Sequence, residues 1–87
     1  MKLIIKDAKG GSLDINCELD WKLENLFNQY KEVYKTKNPN DIIKSISFSY
    51  NGEIYTEEND KEKTLKEIEL GDLDQLSFVI AYDGGLI

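Results

Sequence analysis

A chain of 87 residues, 40% of them apolar, suffices for one small packed domain and excludes a disordered polymer. Its net charge of −6, from 11 basic residues (all lysine) against 17 acidic ones, excludes the basic patch that nucleic acid requires and any pull toward anionic membranes; a partner with a basic face is expected. A single cysteine allows no internal disulfide, the first apolar run is too short for a signal peptide and no run approaches a membrane span, so a soluble, cytoplasmic monomer is expected.

Residues 2–8, "KLIIKDA", read as a strand with Leu3 and Ile5 inward and Ile4 outward. "KGG" at 9–11 is a turn signal, and 12–18, "SLDINCE", alternate again with Leu13, Ile15 and Cys17 on one face. Asp20 is placed to cap a helix over about 21–35. There Leu23, Leu26, Phe27, Tyr30, Val33 and Tyr34 form one apolar stripe, with Lys35 and Lys37 near the C-terminal end. "NPND" at 38–41 ends it, since proline cannot continue a helix. Residues 43–50, "IKSISFSY", send Ile46, Phe48 and Tyr50 one way and Ser45, Ser47 and Ser49 the other. "NG" at 51–52 is a hairpin turn into a short strand, "EIYT". "EENDKEK" at 57–63 reads as a charged surface loop. "TLKEIEL" at 64–70 reads as a short helical turn carrying Leu65, Ile68 and Leu70, and Gly71 and Asp72 turn the chain. "QLSFVIAY" at 75–82 is a last strand with Leu76, Phe78 and Ile80 inward. This order gives a two-layer α+β domain, a mixed sheet covered by one main helix. The last strand is expected in the centre beside the first, so that the short strands take the edges. The domain then spans 1–82, and 83–87 form a flexible tail.

The ordered set resembles ubiquitin and its β-grasp relatives over residues 1–85. "MKLIIKDAKGGSLDINC" is similar to the opening hairpin of that family, "LENLFNQY" to the start of its helix, "TLKEIEL" to its Thr-Leu short helix, and "LSFVIAYDGG" to its last strand and tail. No single motif is specific; the ordered set ending in Gly-Gly carries the resemblance. It implies a ubiquitin-like β-grasp fold and a protein modifier joined to target lysines. The binding patch of ubiquitin, three aliphatic residues, falls on Ala8, Ser49 and Val79, so readers of that patch are expected to bind poorly. Its two flanking arginines fall on Ser47 and Ala81. Its best-known chain-forming lysines fall on Glu53 and Asp72, while Lys6 matches a lysine.

Gly84-Gly85 is either a floppy tail or, as the resemblance implies, a conjugation handle after Asp83. Leu86 and Ile87 are then an extension removed by a processing protease, as against a plain terminus. Ile4, Ala8 and Val79 form an outward patch on adjacent strands, or are the ordinary scatter of exposed apolar residues. Trp21 is either a partly exposed contact or packed under the hairpin. Cys17, with no histidine in the chain to serve it as base, reads as a buried small hydrophobe, and "EENDKE" as a solvated loop with no calcium-loop order. With no histidine, no arginine and no phosphate-cradling glycine loop, the chain is not expected to be an enzyme or to hold a cofactor. The ATP of the reaction belongs to an activating enzyme. The expected function is that of a modifier processed after Gly85 and attached through its carboxylate by activating and conjugating enzymes. The alternatives are a non-conjugated interaction domain, for instance in a bacterial secretion or defence system, and a sulfur carrier with a terminal thiocarboxylate. The residues after Gly85 count against the last.

Overall fold

The computed structural model describes residues 1–7 and 10–82. Alternation builds strands Lys2–Lys6 (β1), Ser12–Asn16 (β2), Ile43–Tyr50 (β3), Glu53–Thr56 (β4) and Gln75–Tyr82 (β5). They form one mixed sheet in the order β2-β1-β5-β3-β4. β5 lies between β1, to which it runs parallel, and β3, to which it runs antiparallel. The last strand is therefore central and the short strands β2 and β4 are the edges, as the sequence leads one to expect. Asn51 (φ 53°) and Gly52 (φ 81°) turn β3 into β4. Two successive positive φ values match the right-handed twist of a two-residue hairpin.

Helix α1, Leu23–Lys37, covers one face of the sheet. Its stripe is spaced at three and four residues, so Leu23, Leu26, Phe27, Tyr30 and Tyr34 all point into the core, while Val33 stays at its margin. Opposite them Phe48 and Phe78 are direct cross-strand partners, stacked with ring centroids 5.1 Å apart. Phe27 leans on both at 5.5 and 5.9 Å, and Tyr30 sits 4.5 Å from Phe78. Leu3, Ile5, Ile46 and Leu76 complete the floor. Each fully buried side chain of this size contributes about 1.5–3 kcal/mol of transfer free energy.

Several expected bounds shift. β1 stops at Lys6 because Asp7 begins the turn, its N–H donating to Gly11 O at 3.0 Å and its Oδ1 accepting Gly11 N–H at 2.8 Å. β2 stops at Asn16, and Leu13 is only half buried. The helix starts at Leu23 rather than 21, so Lys22, not Asp20, takes the cap position, with its N–H donating to Asn25 Oδ1 at 3.1 Å. The helix runs on to Lys37, since only the residue before Pro39 is pushed out of helical geometry. Within the run read as a loop, Glu57–Asp60 form a short helix, α2. Thr56 Oγ1 accepts Asn59 N–H at 3.1 Å and Asp60 Oδ2 accepts Thr56 N–H at 2.8 Å, so both ends of its first turn are satisfied. Residues 64–70 are turns held by a reciprocal Thr64–Glu67 pair, with Leu65 and Leu70 buried and Ile68 half buried.

Candidate functional site

The face of the sheet away from α1 is set by the second phase of each strand's alternation. Register places the side chains in lateral rows. Ser77 of β5 stands between Lys6 of β1 and Ser49 of β3, and Ser49 in turn faces Ile54 of β4. The next row joins Val79, Ser47 and Thr56, and beyond it Ala81 faces Ser45. The centre of this face is thus a floor of small hydroxyl residues between two exposed aliphatic side chains, Val79 at 56% and Ile54 at 71%.

Among the expected contact residues, Ser47, Ser49, Val79 and Ala81 do share this face on the adjacent strands β3 and β5. Ile4 does not join Val79. It is opposite Gln75, four residues earlier on β5, which at the rise of a strand is about 13 Å away. The patch expected from Ile4 and Val79 is therefore split by the row through Lys6 and Ser77. Ala8, Asp83, Gly84, Gly85, Leu86 and Ile87 lie outside the described residues. Tyr82, the last residue of β5, is paired with Ile43 at the start of β3, so the chain leaves the sheet from its central strand.

Sequence reasoning missed four exposed apolar residues, Leu19, Ile42, Ile54 and Leu73. Ile54 had a signal, because in "EIYT" the inward Tyr55, stacked on Phe48 at 5.2 Å, forces its neighbour outward. Leu73 had none. It takes φ 67° in a turn where the glycine lies two positions earlier. Trp21 is half buried and packs against the core, with its carbonyl accepting Leu65 N–H at 2.9 Å.

The remaining groups are structural. Cys17 is 3% exposed and its Sγ donates to Met1 O at 3.7 Å; burial pushes its thiol above the ordinary value, which disfavours the thiolate a nucleophile needs. A groove of about 710 Å³ runs between α1, α2 and the start of β3. Lys31 Nζ and Glu57 Oε2 pair within it at 2.6 Å, and its charged lining is balanced. Among the described residues, no group of three or more Cys, Asp or Glu is placed to hold a metal, and no helix is long and apolar enough to cross a membrane. No protein-family model matches the chain, and no curated protein matches it.

Proposed function

We propose that the chain is a ubiquitin-like protein modifier of β-grasp build, attached to lysines of other proteins through the carboxylate of Gly85. The observation that carries this reading is the strand order β2-β1-β5-β3-β4 with one covering helix and the last strand in the middle. Tyr82, opposite Ile43, ends that strand, and Asp83, Gly84 and Gly85 follow it directly. The tail thus follows the middle strand of the sheet, whose last residues pair with β3. Two residues without Cβ let it thread a narrow enzyme channel and let a nucleophile reach the carbonyl.

In this mechanism a protease cuts after Gly85 and frees its carboxylate. An activating enzyme joins the carboxylate to AMP from ATP and releases pyrophosphate. An enzyme cysteine displaces AMP to give a thioester, and the thioester passes to a conjugating enzyme. A target lysine then attacks, giving an isopeptide bond and the free thiol. The modifier contributes no catalytic group. Its part is to present the tail and to offer the face of Ser47, Ser49, Val79 and Ala81 to the enzymes that handle it. The test is mass spectrometry of native extracts for species joined through Gly85 to lysines. The alternative, an interaction domain that is never conjugated, is favoured by the exposed Val79 and Ile54 and gives no such species.

A further inference from the structure

Asn51 and Gly52 are the central residues of the turn between β3 and β4, at φ 53° and 81°. In such a turn the closing hydrogen bonds run between the flanking residues, here Tyr50 and Glu53, so the Gly52 N–H serves no ladder. The Asn51 side chain makes no hydrogen bond among the described residues, and both residues are exposed. A Cβ built on Gly52 would meet nothing within 4 Å, so the space beside its nitrogen is open. An amide carbon, Asn51 Cγ, and the next backbone nitrogen thus stand side by side with neither engaged. The other asparagines lack this combination, and none of them precedes glycine. Asn25 Oδ1 accepts Lys22 N–H at 3.1 Å, and Asn38 Nδ2 donates to Tyr34 O at 3.1 Å and precedes proline, which has no N–H. Asn16 lies in a paired strand, Asn28 within α1 and Asn59 within α2. Asn40 is followed by Asp41, whose N–H donates to Asn38 O at 3.1 Å.

We propose that Asn51 is a site of spontaneous modification, at which the folded chain converts its own side-chain amide to aspartate and isoaspartate with water as the only reactant. Solvent base removes the Gly52 amide proton, and the nitrogen attacks Asn51 Cγ. The bond from Cγ to Nδ2 breaks, and ammonia leaves with a proton taken from water. Water then opens the cyclic imide. Opening at Cγ restores the ordinary backbone with an aspartate, while opening at the main-chain carbonyl routes the chain through Cγ as an isoaspartate. The net change is water in and ammonia out, with nothing oxidised or reduced. The missing Cβ of Gly52 lets the ring close without a clash. Closure also needs rotation about the Asn51 ψ. β4 is an edge strand of four residues, so a local opening of the hairpin suffices and global unfolding is not required.

The two products act differently on the hairpin. Aspartate tolerates positive φ and suits the same turn before glycine, so it adds a negative charge and leaves the pairing intact. Isoaspartate puts an extra methylene into the backbone of a two-residue turn, and Tyr50 and Glu53 no longer meet in register. The short ladder beyond them, down to Ser47 and Thr56, is weakened with it, as is the stacking of Tyr55 on Phe48 at 5.2 Å. The modification calls for no enzyme and does not depend on conjugation through Gly85.

The experiment ages the full 87-residue chain, folded, in warm buffer at neutral and mildly alkaline pH, with a second sample held in denaturant. Peptide mapping by mass spectrometry follows each asparagine for exchange of its amide for a carboxyl, and methyl transfer by an isoaspartyl methyltransferase reports isoaspartate. In the folded sample, position 51 is expected to convert at least about tenfold faster than any other asparagine, to yield isoaspartate, and to speed up as pH rises. The isoaspartate fraction is expected to melt below the fresh protein, whereas fresh Asn51→Asp melts level with it. Conversion confined to the denatured sample would overturn the proposal, because the folded turn would then protect the site. Another asparagine converting at the same pace, or an aspartate product free of isoaspartate, would also overturn it. An isoaspartate fraction that melts with the fresh protein would overturn the expected damage to the hairpin.

Discussion

Tyr50 Oη donates to Asp74 Oδ2 across 2.6 Å and ties the end of β3 to the turn that leads into β5. The same carboxylate oxygen accepts Gly71 N–H at 2.8 Å. The Tyr50 hydrogen bond, then the Gly71 amide, hold the Asp74 carboxyl below the ordinary aspartate value, while the phenol of Tyr50, bonded to a carboxylate, is pushed up to about 12. The contribution of Asp74 to stability is therefore present above the ordinary carboxylate value and is lost as pH falls through the lowered one. That of Tyr50 is present below the ordinary phenol value and is lost as pH rises through about 12. Tyr50→Phe is expected to lower stability by about 1 kcal/mol at neutral pH and by less where Asp74 is protonated. Urea denaturation of both proteins at neutral and strongly acidic pH checks this; an undiminished difference in acid would speak against the bond.

Leu26 is fully buried between α1 and the sheet. Leu26→Ala is expected to cost about 2–5 kcal/mol, the transfer free energy plus the cavity. A loss below about 0.5 kcal/mol in equilibrium denaturation, well under that range, would mean that α1 does not present this face to the sheet.

Cys17 is expected to resist a thiol reagent in the folded chain and to react quickly in denaturant, because it is buried and its thiolate is disfavoured. Absorbance of the released thiol chromophore follows both rates. Fast reaction without denaturant would count against a core role.

Ser49 lies on the outer face between Ser77 and Ile54, and the proposed resemblance sets it against the aliphatic centre of ubiquitin's patch. Domains that bind ubiquitin through that patch are expected to bind this chain at least about tenfold more weakly, a difference of about 1.4 kcal/mol. NMR titration with one such domain decides it: shifts of ubiquitin-like affinity centred on Ser49 and Val79 would contradict the reading.

The sequence made the sheet legible wherever alternation was strict. β3, β4 and β5 have the bounds expected, because serine alternates with aromatic and aliphatic residues in "SISFSY" and "NG" fixes the hairpin. The helix α2 was hidden because "EEND" has no apolar face; its signal was the capping chemistry of Thr56, Asn59 and Asp60. The split between Ile4 and Val79 was not legible. Alternation gives the face of a residue, whereas the register of a parallel pair is fixed by packing between elements far apart in sequence. Leu73 was hidden for another reason: Gly71 and Asp72 look like the turn, while the positive φ falls on the leucine.

The central claim is that Gly85 becomes covalently joined to other proteins. Trypsin obscures the evidence, since the last lysine is Lys66 and the remnant on a target would be residues 67–85. Cleavage after acidic residues leaves a Gly-Gly stub instead, because Asp83 precedes the pair. The most direct measurement is mass spectrometry of such digests from the native cell. It compares N-terminally tagged wild type, Gly85→Ala and a chain ending at Gly85. Gly-Gly stubs on target lysines are expected with the wild type and with the chain ending at Gly85, falling sharply with Gly85→Ala. No stub from either of the first two, with the tagged protein recovered only as the unconjugated chain, would contradict the account.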